Sequence, residues 1–317
     1  MEIALVVPCT DNKVGDGPGV ALRALDSHLL PDDLASEWVD RIAAAPSLVS
    51  ARALYKGPGW SASLNLVDAL GATEATVRWR ILSAGYGLLH PDQPATRYSA
   101  TFTAGRADSI PGAADGPAAT SRWWRLINQA RRQPQPLLRF ADQVDGLLVV
   151  ASATYVEAIG HELAAAAKQV PTVVFCAGRP RDPAVAALAP RFDRRLREGD
   201  EAFVRGGDVG FNQRVATRCV ELLGPEVIDR ARVDRVLAAA MDREGPVRHG
   251  RRVASDATVM AFIDAALAVD PSTSRTALLR HWRDRGRACE QGRFRTLYDQ
   301  VVAERDGQLT LGEAACG

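Results

Sequence analysis

The chain has 317 residues, of which 47% are hydrophobic and 24% are charged, and its formal net charge is +1. This length and composition are typical of a soluble globular protein with one large or two ordinary domains. A net charge near zero excludes a global field that recruits nucleic acid, so any basic interface must be local. The five cysteines show no Cys-x-x-Cys pair, which argues against a disulfide framework and against a structural zinc site.

Targeting signals and membrane spans are not expected from the sequence. It contains no run of 18 apolar residues. The apolar run of residues 3–7 is too short for the core of a secretion signal and predicts a first strand instead. The sequence therefore predicts a cytoplasmic protein with no membrane partner.

Strand-like and helical patterns alternate through the first two thirds of the chain. The apolar runs cover residues 3–7, residues 77–82, a stretch that starts at Asp145, and residues 170–176. Helical patterns lie between them. This alternation predicts an α/β fold with a mostly parallel central sheet that helices cover on both faces.

Polar residues predict where two of these helices begin. Ser61 can cap a helix after a Gly-Pro-Gly turn, and Thr120 or Ser121 can cap a helix that ends near Arg132. Residues 103–120 are rich in Gly, Ala, Asp and Pro, which predicts a mobile insertion or lid.

The motif Ser83-Ala84-Gly85-Tyr86-Gly87 follows the strand of residues 77–82. Glycine lets the backbone approach a ligand closely. The motif is therefore expected to present the Ser83 hydroxyl, the Tyr86 phenol and free backbone N–H groups at the carboxyl edge of the sheet. Ligands of α/β proteins bind at that edge. A buried strand followed by a tight glycine turn is the structural alternative.

A polar turn follows the first strand. Lys13 in this turn is expected to act as an anion-binding or Schiff-base amine, with a solvated turn lysine as the alternative. Asp11 or Asp92 could position a water molecule. Cys9 is a weaker candidate for a nucleophile, because no histidine is evident beside it.

The predicted strand-end set is rich in hydroxyls and cations and poor in carboxylates and histidines. Metal catalysis and a Ser-His-Asp hydrolase are therefore disfavoured, and no cofactor or metal is predicted. Cations and phenols suit a phosphate and a stacked base. The predicted catalytic residues are Asp11, Lys13, Ser83 and Tyr86. The predicted residues for binding a nucleic acid or base are Tyr55, Lys56, Tyr98, Ser152, Tyr155 and Arg214.

Residues 225–317 predict a helical extension that is separate from a domain of residues 1–224. Two helical segments with a break at Arg285-Gly286 resemble a helix-turn-helix. Within residues 272–295, seven arginines stand against two acidic residues, an excess that phosphate contacts need. A solvated arginine-rich hairpin is the alternative, and Trp282 and Phe294 are predicted core residues. The arginines predicted to bind nucleic acid are Arg280, Arg283, Arg287 and Arg293.

Three segments together carry a family resemblance. They are Leu54-Tyr55-Lys56-Gly57, the segment from Arg80 to Pro91 with Tyr98 downstream, and the segment from Val150 to Tyr155. In order and approximate spacing, they are similar to the peroxide-stress YaaA family and its small uncharacterised relatives, over about residues 1–223. The resemblance implies an α/β fold with a positively charged cleft, DNA binding, and a role in protecting or processing DNA.

The chain departs from the family pattern at three points. The family's N-terminal serine-proline-alanine-lysine is replaced by Pro8-Cys9-Thr10-Asp11-Asn12-Lys13, which retains the lysine at a shifted spacing. The downstream proline-tyrosine-arginine is reduced to Arg97-Tyr98, and the family's lysine-x-alanine-arginine-glycine helix start appears only as residues 212–216. No settled reaction comes with the resemblance.

These features favour a DNA-binding enzyme that takes a modified or damaged base out of DNA and cleaves its N-glycosidic bond. A non-enzymatic DNA-binding stress or regulatory protein is the alternative from a different class. A factor that modifies bases in RNA is a weaker alternative. The sequence leaves the base and the oligomeric state open.

Overall fold

The structure is a computed structural model that describes residues 1–15, 19–26, 28–46, 49–142, 144–197, 202–242 and 252–314. The chain divides into two compact units, Met1–Gly245 and Pro246–Gly317. The boundary expected after residue 224 therefore lies too early, because the helix Arg230–Asp242 contributes Val233 and Leu237 to the core of the first unit. No helix among the described residues is both long and apolar enough to cross a membrane.

The first unit is built on a five-stranded sheet. The strands of the unit are β1 Glu2–Pro8, β2 Val20–Ala21, β3 Val49–Ser50, β4 Thr76–Ser83, β5 Gly87–Leu89, β6 Pro94–Ala95, β7 Tyr98–Ser99, β8 Gly146–Val150 and β9 Thr172–Phe175, and β2 pairs with β7 and β3 with β6 outside the main sheet. The main sheet has the order β5-β4-β1-β8-β9, and all neighbours are parallel except β4 and β5. The apolar runs of β8 and β9 are entirely buried, as strands covered on both faces require. The α/β prediction is therefore confirmed.

Two groups of helices cover the sheet. The helices of this unit are α1 Pro31–Ala44, α2 Ala51–Leu54, α3 Pro58–Gly71, α4 Pro117–Ala130, α5 Pro136–Phe140, α6 Ala153–Ala158, α7 Gly160–Ala166, α8 Pro183–Ala186, α9 Phe211–Leu223 and α10 Arg230–Asp242. In one group α9 packs on α3 and α10, and in the other α4 packs on α1 and α6.

Two helices begin earlier than the sequence predicts. α3 begins at Pro58 and α4 at Pro117, each directly after a glycine. Proline suits the first helical position because its missing N–H would have no partner there. Ser61, Thr120 and Ser121 therefore lie inside the helices and do not cap them.

The loop that precedes α4 is anchored along its length. Ile110 is only 2% exposed. Thr101 and Ser109 form a β-bridge, and the Asp108 carboxylate lies 3.1 Å from the Arg23 guanidinium. This packing contrasts with the lid that the composition of the segment predicts.

One edge of the main sheet is only partly covered. β5 pairs with Ile81–Ser83 alone, so residues 76–80 of β4 have no strand partner on that side among the described residues. The Arg78 and Arg80 guanidinium groups lie 5.7 and 4.7 Å from the centre of the Phe140 ring.

The second unit is a small helical domain. Its elements are β10 Arg252–Val253, α11 Asp256–Val269, α12 Arg275–Asp284, β11 Arg287–Ala288 and α13 Gln291–Ala314. The predicted break at Arg285-Gly286 is confirmed, although β11 occupies part of the connection and pairs in parallel with β10. Trp282 and Phe294 are fully buried with Val259 and Ile263, which confirms their core role.

Candidate functional site

The carboxyl ends of the four parallel strands meet at one edge of the main sheet. Cys9 follows β1, and its backbone N–H donates to Leu82 O at 3.0 Å in the neighbouring strand β4. Ala151 follows β8 in the same way and donates to Phe175 O of β9 at 3.2 Å. This edge is where the sequence predicts a site.

Lys13 is the most unusual side chain at this edge. It is only 4% exposed, and its Nζ donates to Thr10 O at 3.1 Å and to Asp11 O at 3.2 Å. The Nζ also lies 4.2 Å from the centre of the Tyr98 ring. Burial lowers the pKa of Lys13, although nearby Cys9 and Asp11 act in the opposite direction. The amine therefore loses its proton more readily than an ordinary lysine.

A chain of hydroxyl groups lies directly beside this amine. Tyr98 OH is 2.9 Å from Tyr55 OH and 2.6 Å from Ser83 Oγ. Ser83 Oγ also accepts from the N–H groups of Gly85 and Tyr86, at 3.1 and 3.0 Å. With both lone pairs occupied, Ser83 must donate its own proton to Tyr98. We call Lys13, Tyr55, Ser83 and Tyr98 the Lys13 cluster.

The glycine motif of residues 83–87 makes hydrogen bonds that differ from the predicted ones. The backbone N–H groups of Gly85 and Tyr86 are occupied by Ser83 and are not free for a ligand. A Cβ at Gly85 would lie 2.6 Å from the Tyr98 ring, so the glycine makes room for that ring. The prediction of free N–H donors is therefore wrong, because the serine satisfies them.

Tyr86 holds a neighbouring segment in place. Its hydroxyl accepts from the Thr96 N–H at 2.9 Å, and its ring lies 5.1 Å from the Tyr98 ring. Burial raises the pKa of Tyr86, while the Thr96 N–H and Arg131 favour its ionised form. The side chain touches the Lys13 cluster through its ring, so its contact there is one of packing.

Tyr155 and Cys9 border the Lys13 cluster. The Cys9 Sγ lies 3.8 Å from Tyr155 OH, and both residues are partly exposed. The Tyr155 ring packs against Phe102 at 4.9 Å between ring centres. Burial of the hydroxyl raises the pKa of Tyr155 well above its ordinary value. Sequence reasoning gave Cys9 little weight, although its position directly after β1 is the signal that places it here.

Four other predicted residues lie outside the Lys13 cluster. Lys56, Asp11 and Ser152 are exposed. The Arg214 guanidinium donates to Val209 O at 2.7 Å and to Gly207 O, so it holds the loop before α9. Arg214 thus has a structural contact where the sequence predicts anion binding.

Asn212, which lies with Arg214 in the first turn of α9, connects two strand ends. Its Nδ2 donates to Ala151 O at 2.8 Å, and its Oδ1 accepts from Ala177 N at 3.1 Å. The side chain therefore fixes the spacing between the ends of β8 and β9.

The predicted arginines of the second unit differ in whether their guanidinium groups already contact other residues of that unit. Arg280 is exposed and has no hydrogen bond or ion pair with any described residue. Arg283 donates to Cys289 O at 3.1 Å, and Arg287 lies 4.9 Å from the centre of the Trp282 ring. Arg293 is paired with Asp256 at 2.7 Å. Pairing within the unit therefore reduces the positive charge available to a partner.

The tyrosines of the Lys13 cluster predict an alkaline loss of stability. Burial raises the pKa values of Tyr55 and Tyr98 well above the ordinary value. Above a pH of about 10, the unfolded chain therefore loses phenol protons that the folded chain keeps. The free energy of unfolding is expected to fall by about 1.4 kcal/mol per pH unit for each such tyrosine.

Urea unfolding between pH 9 and 11 checks this expectation. Tyr98→Phe should make the fall in the free energy of unfolding shallower by about 1.4 kcal/mol per pH unit, because one buried phenol fewer keeps its proton in the folded chain. Tyr298→Phe, which removes a hydroxyl that donates to Thr273 O in the second unit, is the control. Equal slopes for the native chain and Tyr98→Phe would show that the buried phenol does not titrate as described.

Metal ligation is a separate question. Among the described residues, no group of three or more His, Cys, Asp or Glu side chains is placed to hold a metal ion. In comparisons with known proteins, no family model matches the chain, and neither a curated protein nor a solved structure matches it significantly.

Proposed function

We propose that the protein acts on DNA and releases a modified base by cleaving the N-glycosidic bond, with Lys13 as the nucleophile. The observation that carries this proposal is the buried Lys13 amine, which has a lowered pKa and carbonyl oxygens, not carboxylates, as hydrogen-bond acceptors. A buried lysine of this kind is a candidate nucleophile. The resemblance to the YaaA family also implies DNA processing.

The reaction uses the unprotonated amine. Lys13 Nζ attacks C1′ of the target nucleotide, the C1′–N bond breaks, and the electron pair leaves with the base, which takes a proton from the attacking nitrogen. The C1′–O4′ bond of the sugar ring then breaks, O4′ takes a proton from solvent, and an iminium forms between Nζ and C1′. Water hydrolyses the iminium, restores the amine and leaves an abasic site. The exposed Asp11, whose backbone carbonyl accepts from Nζ, is the candidate to orient that water.

Two features of the chain suit the DNA substrate. An enzyme of this kind must take its target nucleotide out of the base stack, and the partly exposed Tyr155, whose hydroxyl lies 3.8 Å from Cys9 Sγ, offers an aromatic ring at this edge of the sheet. In the second unit, the exposed Arg280 and Arg295 have no hydrogen bond or ion pair with any described residue. Such arginines supply sequence-independent contacts to phosphates.

Borohydride trapping tests the proposal directly. The full chain is incubated with duplexes that carry different modified bases, and sodium borohydride reduces any iminium to a stable protein–DNA adduct. We expect an adduct on the Lys13 peptide by mass spectrometry. Lys13→Arg should reduce adduct and abasic-site formation by about 100-fold or more. Lys168→Arg, which changes an exposed lysine just after α7 that has no predicted role in binding, should leave both unchanged.

The same experiment distinguishes the second candidate, a DNA-binding protein without catalysis. The unpaired Arg280 and Arg295 favour this candidate. It is supported if no duplex gives an adduct or an abasic site while Arg280→Ala and Arg295→Ala weaken DNA binding. Adducts formed with RNA and not with DNA would instead favour an RNA substrate.

A further inference from the structure

A cavity of about 540 Å³ lies beyond the carboxyl end of β9, in the first unit. Cavities of this volume accept ligands of nucleotide size. None of the residues that line it belongs to the Lys13 cluster. The lining residues that matter here are Arg179, Arg191, Arg195, Arg230, Phe192 and Met241.

Two of the four arginines are engaged within the protein. Arg195 Nε lies 3.0 Å from the Asp193 carboxylate. Arg230 pairs with Asp234 at 3.0 Å and donates to Ala187 O at 2.5 Å. Among the described residues that line the cavity, Asp193 is the only one with a carboxylate. These two pairs are therefore close to neutral.

The other two arginines leave an uncompensated positive charge. Arg179 and Arg191 are exposed, and neither has a hydrogen bond or ion pair with any described residue. Two unpaired guanidinium groups match a ligand with two negative charges.

Apolar groups form the rest of the wall. The Phe192 ring is held between Phe175 and Phe211, at 6.1 and 5.8 Å between ring centres. Met241 lies near it, with its Sδ 3.5 Å from Arg195 Nη2. A rigid apolar wall beside a cationic region suits a ligand that has a phosphate at one end and a ring system at the other.

We infer that this cavity binds the phosphate of a nucleotide, with Arg179 and Arg191 as the principal phosphate ligands. The phosphate can come from a free nucleotide or from the 5′ end of a nucleic acid, because both present the same dianion. This inference does not depend on the proposed function, since Lys13→Arg should leave binding in the cavity unchanged.

Calorimetric titration of the full chain with ADP and with adenosine tests the inference. We expect ADP to bind and adenosine to bind at least about tenfold more weakly, because it lacks the charged group. Arg179→Gln and Arg191→Gln should each weaken ADP binding by about tenfold, and the double variant by more. Arg139→Gln, at an exposed arginine outside the cavity, is the matched control and should have no effect.

Competition then identifies the source of the phosphate. If a 5′-phosphorylated oligonucleotide displaces ADP and its unphosphorylated counterpart does not, the site takes the end of a nucleic acid. If neither displaces ADP, it takes a free nucleotide. The inference is overturned if ADP does not bind, if adenosine binds as tightly as ADP, or if the double variant, with native circular dichroism, binds ADP like the native chain.

Discussion

Gly87→Ala is expected to lower the free energy of unfolding by about 3 kcal/mol, through two effects that add. Gly87 has a φ of +75°, a conformation that costs an L-residue about 1 kcal/mol or more. A Cβ at this position would also lie 2.1 Å from Asn128 Oδ1. Asn128 is 1% exposed, and its Nδ2 donates to Trp124 O at 2.7 Å, so its side chain cannot move away easily.

Gly105→Ala separates the two effects in urea unfolding. Gly105 has nearly the same φ, +73°, but no atom lies within 4 Å of its added Cβ. We expect it to lose only about 1 kcal/mol. In an Asn128→Ala background the cost of Gly87→Ala should fall to a similar value, because the colliding amide is gone. Equal costs for Gly87→Ala and Gly105→Ala in the native background would refute the steric contribution.

Glu162→Ala is expected to destabilise the first unit by about 3 kcal/mol or more, because it leaves buried donors without an acceptor. Glu162 is 7% exposed. Its Oε1 accepts from Trp124 Nε1 at 2.6 Å, and its Oε2 accepts from the N–H groups of Leu137 and Leu138 at 2.8 and 3.3 Å. The carboxylate therefore joins α7 to α4 and to the first turn of α5.

Glu221→Ala is the control for this variant. Glu221 also pairs with a donor, Arg218 at 2.8 Å, but about half of each side chain is exposed. Surface pairs contribute about 0–1 kcal/mol, so we expect little change in the urea midpoint. A loss at Glu162 that is no larger than the loss at Glu221 would mean that water replaces the missing carboxylate.

The strands could be predicted well because their signal is local. Residues 3–7 and the mostly apolar residues 170–176 have the pattern of covered strands, and the structure places residues 3–7 and 172–175 in the main sheet. Helix starts were harder, because a proline after a glycine competes with a nearby Ser or Thr as the first-turn signal. In both cases the helix begins at the proline, at Pro58 and at Pro117.

Only part of the Lys13 cluster's surroundings follows from the sequence: the proximity of some side chains could be expected, but their burial could not. Lys13, Tyr55 and Ser83 were expected together because they follow strands or precede turns at one edge. That Tyr98 covers them depends on Gly85, whose missing Cβ leaves room for the ring. Such an approach between residues far apart in a loop leaves no periodic pattern in the sequence.

The arginines show more clearly that the sequence does not reveal which side chains contact one another. Counting charges in residues 272–295 could not reveal that Arg293 is paired with Asp256. Nor did the sequence draw attention to Arg179 and Arg191, which stand in a segment with several other arginines. Which cation is compensated depends on partners that only the folded chain brings near.

The partly covered edge of β4 carries a consequence for association between molecules. Unpaired backbone N–H and C=O groups along residues 76–80 are a template on which a strand of another chain can align. Arg78 and Arg80 stand on this stretch, held over the Phe140 ring. Arg78 is paired with Glu2 at 3.1 Å, whereas Arg80 has no ion pair with any described residue, so a strand that aligned there would have to cover the Arg80 charge, and this cost opposes fibrillar aggregation at the edge.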